Sequence, residues 1–417
     1  MEHICVKKIK VNNLFHLHDF DIEFGSEDTP HLILTGRNGS GKTILLNAIS
    51  DFLDQIKADK HLYFLKYGDW VEFRKKKYEE AKTDQDKASA KTDFDQVQKQ
   101  YDDLYAKVSL EFSSVYDLVQ KYNDGDFIVA FYQATRKVSM LAPKNPTKPQ
   151  YAIKSTNKDI VAKEFLNFMS DLKIQEALAR NENNIADADE IRLWFENFES
   201  LLREIYNEPS LKLQFDYKDY SFKINIVESN KSFTFNQMSD GYSAVFEIIV
   251  DLILKMQDKK SVVRSYQKEG IVLIDEIETH LHLELQKNIL PLLTKIFPNI
   301  QFIVTTHSPF VLNSLSNAVA FDLEHQEEIR DLDEYSYSTL AEEYFGVSTD
   351  SNILKIKLDE LKRLCDLNYV SKADQERMKK LISEFNEMPN LGSSMLLAEY
   401  HQLLLSRSSR LKELGVL

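Results

Sequence analysis

Cysteine is almost missing from this chain: Cys5 and Cys365 are the only two in 417 residues, and they stand far apart. That scarcity excludes a disulfide framework and a cysteine-ligated structural zinc site. Glycine and proline are also sparse, at 11 and 9, too few for a collagen-like or linker protein. No window approaches the ~18 uninterrupted apolar residues of a spanning helix, so no membrane partner is expected. The opening MEHICVKKIKVNNLF has no apolar stretch followed by a small-residue cleavage site, and a cytoplasmic location is expected. Positive charge is in deficit. Lys and Arg number 52 against 66 Asp and Glu, a formal net charge of −14, which opposes a surface built to coat long nucleic acid but leaves room for a local basic groove. What is present is a core: 43% of residues are apolar, with 25 Phe and 19 Tyr, too much to leave unburied. At roughly 150 residues per domain, the length allows one large domain with insertions or two to three smaller ones.

The pattern along the chain reads as α/β. Ile4, Val6, Ile9 and Val11, then Phe20, Ile22 and Phe24, alternate with polar residues as in a pair of half-buried strands. A third strand, His31 to Thr35, runs into a glycine loop, and an apolar helical run follows from Ile44 to Leu53. A charged stretch then holds RKKK at 74–77, and Phe94, Val97, Tyr101 and Leu104 recur at helical spacing, the seam of a short coiled helix or hairpin. FIVAFYQ at 127–133 resumes the sheet, APKNPTKPQ at 142–150 is a Pro-broken loop, 160–206 reads as helical, and 211–235 alternates like strands. The runs IVLI (271–274) and FIV (302–304), each flanked by helices, are what a parallel sheet covered on both faces requires. Four parts are expected: 1–56, a first lobe with the glycine loop; 57–125, a helical insertion; 126–325, a second lobe; and 326–417, a helical C-terminal region.

Three motifs carry chemistry. Gly36-Arg37-Asn38-Gly39-Ser40-Gly41-Lys42-Thr43 fits G-x-x-x-x-G-K-[ST] after a strand and before a helix. Such a loop turns backbone N–H groups and a helix N-terminus on phosphates, Lys42 reaches the terminal phosphates, and Thr43 offers a hydroxyl to Mg²⁺, so a nucleotide's phosphates and magnesium are expected there. The strand at 271–274 delivers Asp275 to the magnesium shell, while Glu276, pointing to another side, can polarise a water. His307, in TTHSP at the end of the next strand, can hydrogen-bond the terminal phosphate or that water. His280 and His282, in ETHLH, form an HxH pair without an evident third metal ligand, and an interface or solvated role stays open beside a metal role.

In this order, GRNGSGKT, then MSDG (238–241), then IVLIDEIETHLH, then FIVTTHSP resemble the ABC-type ATPases that include RecF, SMC and OLD proteins. The resemblance spans about 1–56 and 126–325, and is nearest to bacterial ATPases serving anti-phage defence systems such as Septu, PARIS and retron-associated modules. It implies an ABC-type P-loop NTPase head with N-terminal strands, a helical insertion and a C-terminal helical extension. It further implies that two heads sandwich ATP in a homodimer or higher homo-oligomer, with Ser239 and Gly241 facing the phosphate held by the partner's Lys42. Asp240 and Tyr242 depart from the LSGGQ form of that segment. Gln133 falls where such proteins place a magnesium-sensing glutamine.

The function this resemblance implies is an ATP-hydrolysing sensor that responds to a phage-derived trigger and controls a separate effector, a nuclease by expectation. The alternative is a RecF- or SMC-like repair ATPase that clamps DNA, with nucleic acid as partner through RKKK. OLD proteins add a Toprim nuclease with a glutamate and a DxD pair; here Asp331-Leu332-Asp333 lacks a glycine-flanked strand bearing the glutamate, so no nuclease site is expected in this chain.

Overall fold

The structure, a computed structural model, describes residues 3–25, 30–57, 61–136, 140, 162–257, 267–329, 332, 335, 337, 339–340, 344, 352–367, 369–387 and 394–416. It divides into two compact units, Met1–Leu332 and Asp333–Leu417. The Pro-broken loop at 142–150, and Asp331 and Asp333, lie outside the described residues.

The first unit is organised by a six-stranded sheet in the order β12-β11-β3-β10-β9-β5. These are β3 (His31–Thr35), β5 (Phe127–Tyr132), β9 (Glu269–Ile274), β10 (Ile300–Thr305), β11 (Ala318–Asp322) and β12 (Glu327–Ile329). All pairs are parallel except β11 with β12. β3 and β10 are buried along their whole length, so apolar residues occupy consecutive positions and the strand reads as a run, not an alternation. The sequence boundary at 326 falls just before β12, whose pairing with β11 keeps it in the first unit.

A three-stranded antiparallel sheet comes from β1 (Val6–Leu14), β2 (Leu17–Glu23) and β4 (Val108–Phe112), in the order β2-β1-β4. β4 corrects the reading of 57–125 as helical throughout: Val108 and Leu110 face the core while Ser109 and Glu111 do not, a period-2 signal too short to stand out after a long charged helix. Helix α1 (Lys42–Lys57) packs on both β4 and β10. Its inner stripe, Leu45, Leu46, Ile49, Phe52, Leu53 and Ile56, is buried in the same core as Ile9, Val11 and Ile22 of the antiparallel sheet and Leu34 and Leu273 of the central one. Each such side chain contributes about 1.5–3 kcal/mol by leaving water. Gln301, fully buried on β10, ties the two sheets: Val6 N donates to its Oε1 at 2.7 Å, and its Nε2 donates to the carbonyls of Val6 at 3.0 Å and Pro30 at 2.8 Å.

The insertion is a helical hairpin of α2 (His61–Glu79) and α3 (Asp84–Tyr105), joined where Thr83 caps α3 through Asp86 N. Tyr78 stacks on Phe94, and Arg74 donates to Asp93 at 2.8 Å across the hairpin. After α4 (Val115–Asp124), β5 adds the outer strand beside β9. Then α5 (Phe165–Asn181) and α6 (Ile185–Tyr206) enclose an aromatic core in which Trp194 stacks on Phe198 at 5.3 Å, and Phe165 meets Phe246 edge-on at 5.9 Å. Phe246 belongs to α7 (Asp240–Lys255), which follows a second antiparallel sheet of β6 (Leu211–Asp216), β7 (Ser221–Ile226) and β8 (Lys231–Phe233).

The second unit holds helices Asn352–Asp366, Lys372–Glu387, Ser394–Ser406 and Ser408–Glu413. They share a separate core of Leu358, Leu361, Met378, Leu381, Phe385 and Tyr400 among others, with Phe385 stacked on Tyr400 at 4.7 Å. Among the described residues, no helix is long and apolar enough to cross a membrane.

Candidate nucleotide site

Three motifs and Gln133 arrive at one edge of the central sheet because β3, β9, β10 and β5 run parallel, so their C-terminal ends, and the loops that follow, share a rim. β3 sits between β10 and β11 and delivers the glycine loop at the middle of that rim. Gly36, Gly39 and Gly41 take φ values of +129°, +87° and +100°, conformations that side-chain-bearing residues rarely adopt. A Cβ on Gly36 would also meet Ser40 Oγ at 2.9 Å and Asp322 Oδ1 at 3.0 Å, so glycine is required there on two grounds. Arg37, Asn38 and Gly39 are exposed at the loop crest, and Arg37 pairs with Glu324 at 3.3 Å.

Lys42, 5% exposed, opens α1 and donates Nζ back to the carbonyls of Gly36 at 2.7 Å and Arg37 at 3.0 Å. Burial lowers its pKa, and Glu276, Glu278, Asp275 and Asp322 oppose that fall. Thr43 Oγ1 lies 3.0 and 3.2 Å from the two carboxylate oxygens of Asp275, which reach it from the end of β9. A hydroxyl and a carboxylate so joined are hard oxygen donors of the kind a magnesium ion takes, and the residues present fit that ion.

Asp275 and Glu276 do separate. Asp275 Oδ1 accepts from Thr305 Oγ1 at 2.7 Å, and the same hydroxyl accepts from Glu276 N at 2.7 Å, so one buried threonine of β10 fastens both residues. Glu276 then turns left-handed, at φ +44°, and its Oε2 accepts from Thr279 Oγ1 at 3.2 Å. His307, half-buried after β10, has its pKa lowered by burial first and by the Lys42 charge second, which keeps the imidazole neutral near neutral pH. Its backbone N–H donates to Glu278 Oε1 at 2.5 Å, and Thr306 Oγ1 donates to Glu278 Oε2 at 2.8 Å.

Glu278 was not singled out in the sequence, nor were Thr305, Asp322 and Arg136. Glu278 joins the turn after β9 to the loop after β10, and burial raises its pKa against the hydrogen bonds from His307 and Thr306. Arg136, 3% exposed, donates to the carbonyl oxygens of Asp275 at 3.1 Å and Glu276 at 2.8 Å. Thr305 had a signal, since TTHSP puts two hydroxyls at a strand end; a lone acid or arginine in a turn has none.

Gln133 is exposed one residue beyond β5, whose Tyr132 pairs with Ile274 and accepts from Asp275 N at 2.8 Å, so Gln133 emerges level with Asp275. Ser239 is the exposed N-cap of α7, and its side chain makes no capping bond. Gly241 is buried against the next loop: a Cβ would stand 2.7 Å from the His280 carbonyl oxygen. His282 precedes α8 (Leu283–Ile296), and among the described residues no group of three or more His, Cys, Asp or Glu is placed to hold a metal.

Residues 132–313 match the family described as "AAA domain, putative AbiEii toxin, Type IV TA system". The chain resembles the AAA and ABC-type ATPases. The matched segment carries α7, β9 with Asp275 and Glu276 after it, and the His307 loop, while the glycine loop at 36–43 lies outside it. The Septu protein PtuA of Bacillus mycoides (strain KBAB4) is 26% identical over 327 residues, covering 77% of this chain and 41% of that protein. The protein named Retron Ec83 probable ATPase, of Escherichia coli, is 43% identical over 94 residues, 22% of this chain and 17% of that one. The chain spans less than half the length of the curated relatives it matches. Among solved structures, the SMC head domain from Thermotoga maritima aligns over 76% of this chain and 94% of its own, at 11% identity and a TM-score of 0.35.

Proposed function

We propose that this chain binds and hydrolyses ATP with magnesium, and serves as the nucleotide-driven sensor of an anti-phage defence system that controls a separate effector. The observation that carries the chemistry is the junction of Thr43, Asp275, Thr305 and Glu276 at the mouth of the glycine loop. When bound, ATP with Mg²⁺ supplies the cleavable anhydride and the Lewis acid. Lys42 and the loop N–H groups bind negative charge, Thr43 and Asp275 hold the metal, with Gln133 beside them, and Glu276 accepts the proton of a water. Neutral His307 offers a hydrogen bond at the same mouth. The kinship with the Septu and retron proteins named above supports the defence setting, and the effector, a nuclease in this reading, and a phage-derived trigger belong to it.

Ser239, exposed and without a side-chain capping bond at the start of α7, supports assembly through a shared site, in which Ser239 and Gly241 of one copy complete the phosphate site of another in a homodimer or higher homo-oligomer. The DNA-clamp reading draws less support: Arg74 of the RKKK cluster is engaged with Asp93, and Lys76 lies 4.0 Å from Glu80. The test is Glu276→Gln, which keeps the shape of the side chain but cannot take a proton: fluorescent-ATP binding should persist while phosphate release drops by about two orders of magnitude or more. Lys42→Ala should lose binding itself. Wild-type turnover in the Gln variant would remove Glu276 from its role.

A further inference from the structure

Helix α7 seats on the turn that follows β9. At the helix start, Gly241 packs directly on the His280 carbonyl. In mid-helix, Glu247, 2% exposed, is the first of four carboxylates that sustain the charge of Arg136 against its burial, ahead of Glu278, Asp275 and Glu276. Arg136 in turn holds the backbone of the turn itself: Nη1 donates to the Asp275 carbonyl at 3.1 Å, and Nη2 to those of Glu276 at 2.8 Å and Ile277 at 3.4 Å. Within this turn two non-glycine residues are left-handed, Glu276 at φ +44° and His280 at +69°. Such conformations persist only where their surroundings enforce them.

A buried guanidinium is a costly way to fill space, because taking the cation out of water costs several kcal/mol, and an apolar side chain of similar size would avoid that. The cost is offset where a planar, five-donor fork is needed to grip several carbonyls at once. We infer that Arg136 is a positioning residue that fixes the backbone of Asp275 to Ile277, with Glu247 of α7 as its buried counter-charge, and so couples the placement of Glu276 to the position of α7. The inference rests on the ATPase reading above. In that reading α7 carries Ser239 to a neighbouring copy, and the Glu247–Arg136 connection relays that engagement to the hydrolytic carboxylate. Tyr132 of β5 adds a second fastening, since its Oη donates to Asp251 of α7 at 2.7 Å.

The experiment measures kcat, KM and fluorescent-ATP affinity for the full chain carrying Arg136→Met, Arg136→Lys, Glu247→Gln, and the Met and Gln changes together, with far-UV circular dichroism to count folded molecules. Arg136→Met should lower kcat about tenfold or more per folded molecule while KM and affinity stay within about threefold. Arg136→Lys, with one point donor in place of the fork, should recover part of that loss. Glu247→Gln should lower kcat several-fold, and the double variant should be no slower than Arg136→Met, as expected of residues acting through one connection. Wild-type kcat in folded Arg136→Met, affinity falling in step with kcat, or losses that multiply in the double variant would each overturn the inference and leave the ATPase reading intact. If Arg136→Met does not fold, an unchanged kcat in Glu247→Gln overturns it instead. A wild-type protein without ATP turnover overturns both.

Discussion

Thr305 is the most economical place to test the site, because one hydroxyl there has two tasks and nothing else. It is fully buried at the end of β10, donates to Asp275 Oδ1 at 2.7 Å and accepts from Glu276 N at 2.7 Å. Thr305→Val keeps the shape and removes only the hydrogen bonds, so no cavity term enters. The hydrogen bond to the carboxylate contributes about 1.5–3 kcal/mol, and a buried N–H left without its acceptor costs about 1–3 kcal/mol. Asp275 keeps Thr43, so the two losses do not fully add, and a net destabilisation of about 3 kcal/mol is expected. Urea denaturation followed by circular dichroism measures it, with ATP turnover read in parallel, where a loosened Glu276 should cost about tenfold or more. Thr305→Ser restores the hydroxyl and should recover most of both. A valine variant with wild-type midpoint and wild-type turnover would refute the reasoning, and a serine variant as damaged as valine would show that packing, not the hydroxyl, was lost.

Gly241→Ala would place a methyl group 2.7 Å from a backbone carbonyl that cannot yield cheaply, and should lower stability by about 1–3 kcal/mol in a thermal melt; a neutral result would mean that α7 is not seated on the His280 loop as described. His31 supplies a pH test. Burial lowers its pKa from 6.5 to about 4, and its neutral Nδ1 accepts from Phe302 N at 3.1 Å. The unfolded chain binds that proton more readily, so this contribution is intact above pH 6.5 and is lost as pH falls toward 4, by about 3 kcal/mol. His31→Asn keeps an acceptor without the titration and should flatten the stability profile over that range; parallel profiles would exclude His31 as a source. Phe385→Ala should cost about 3–5 kcal/mol within the Asp333–Leu417 unit, whose core is separate, and leave fluorescent-ATP affinity unchanged.

β3, β9 and β10 were legible because they are buried on both faces, whereas β11 was not read as a strand and β12, mostly exposed, fell in the region expected to be helical. IVLI and FIV stand out as apolar runs, and β3 announces itself by leading into the glycine loop. What sequence could not supply was the order. That β3 lies between β10 and β11, with β9 one strand further, follows from connections that pass over a neighbouring strand, and no local pattern encodes them. β4 was lost for a different reason: five residues with two inward positions, at the end of a charged hairpin, carry less pattern than the helix before them.

Within the site, the residues legible in advance are those whose type and spacing are dictated by a ligand: three glycines, a lysine and a hydroxyl for phosphate and metal, then two acids at a strand end. Those missed are dictated by the protein. Glu278 earns its position only because the chain reverses at Glu276 and brings its carboxylate under the loop after β10, where it accepts from Thr306 and His307. Had β9 continued extended through Glu276, Glu278 would share its face and be carried away from that loop. The left-handed step at Glu276 therefore docks the third carboxylate against the histidine loop. Arg136 and Thr305, which hold that step from opposite sides through its carbonyl and its N–H, are thus as necessary to the arrangement as the acids themselves.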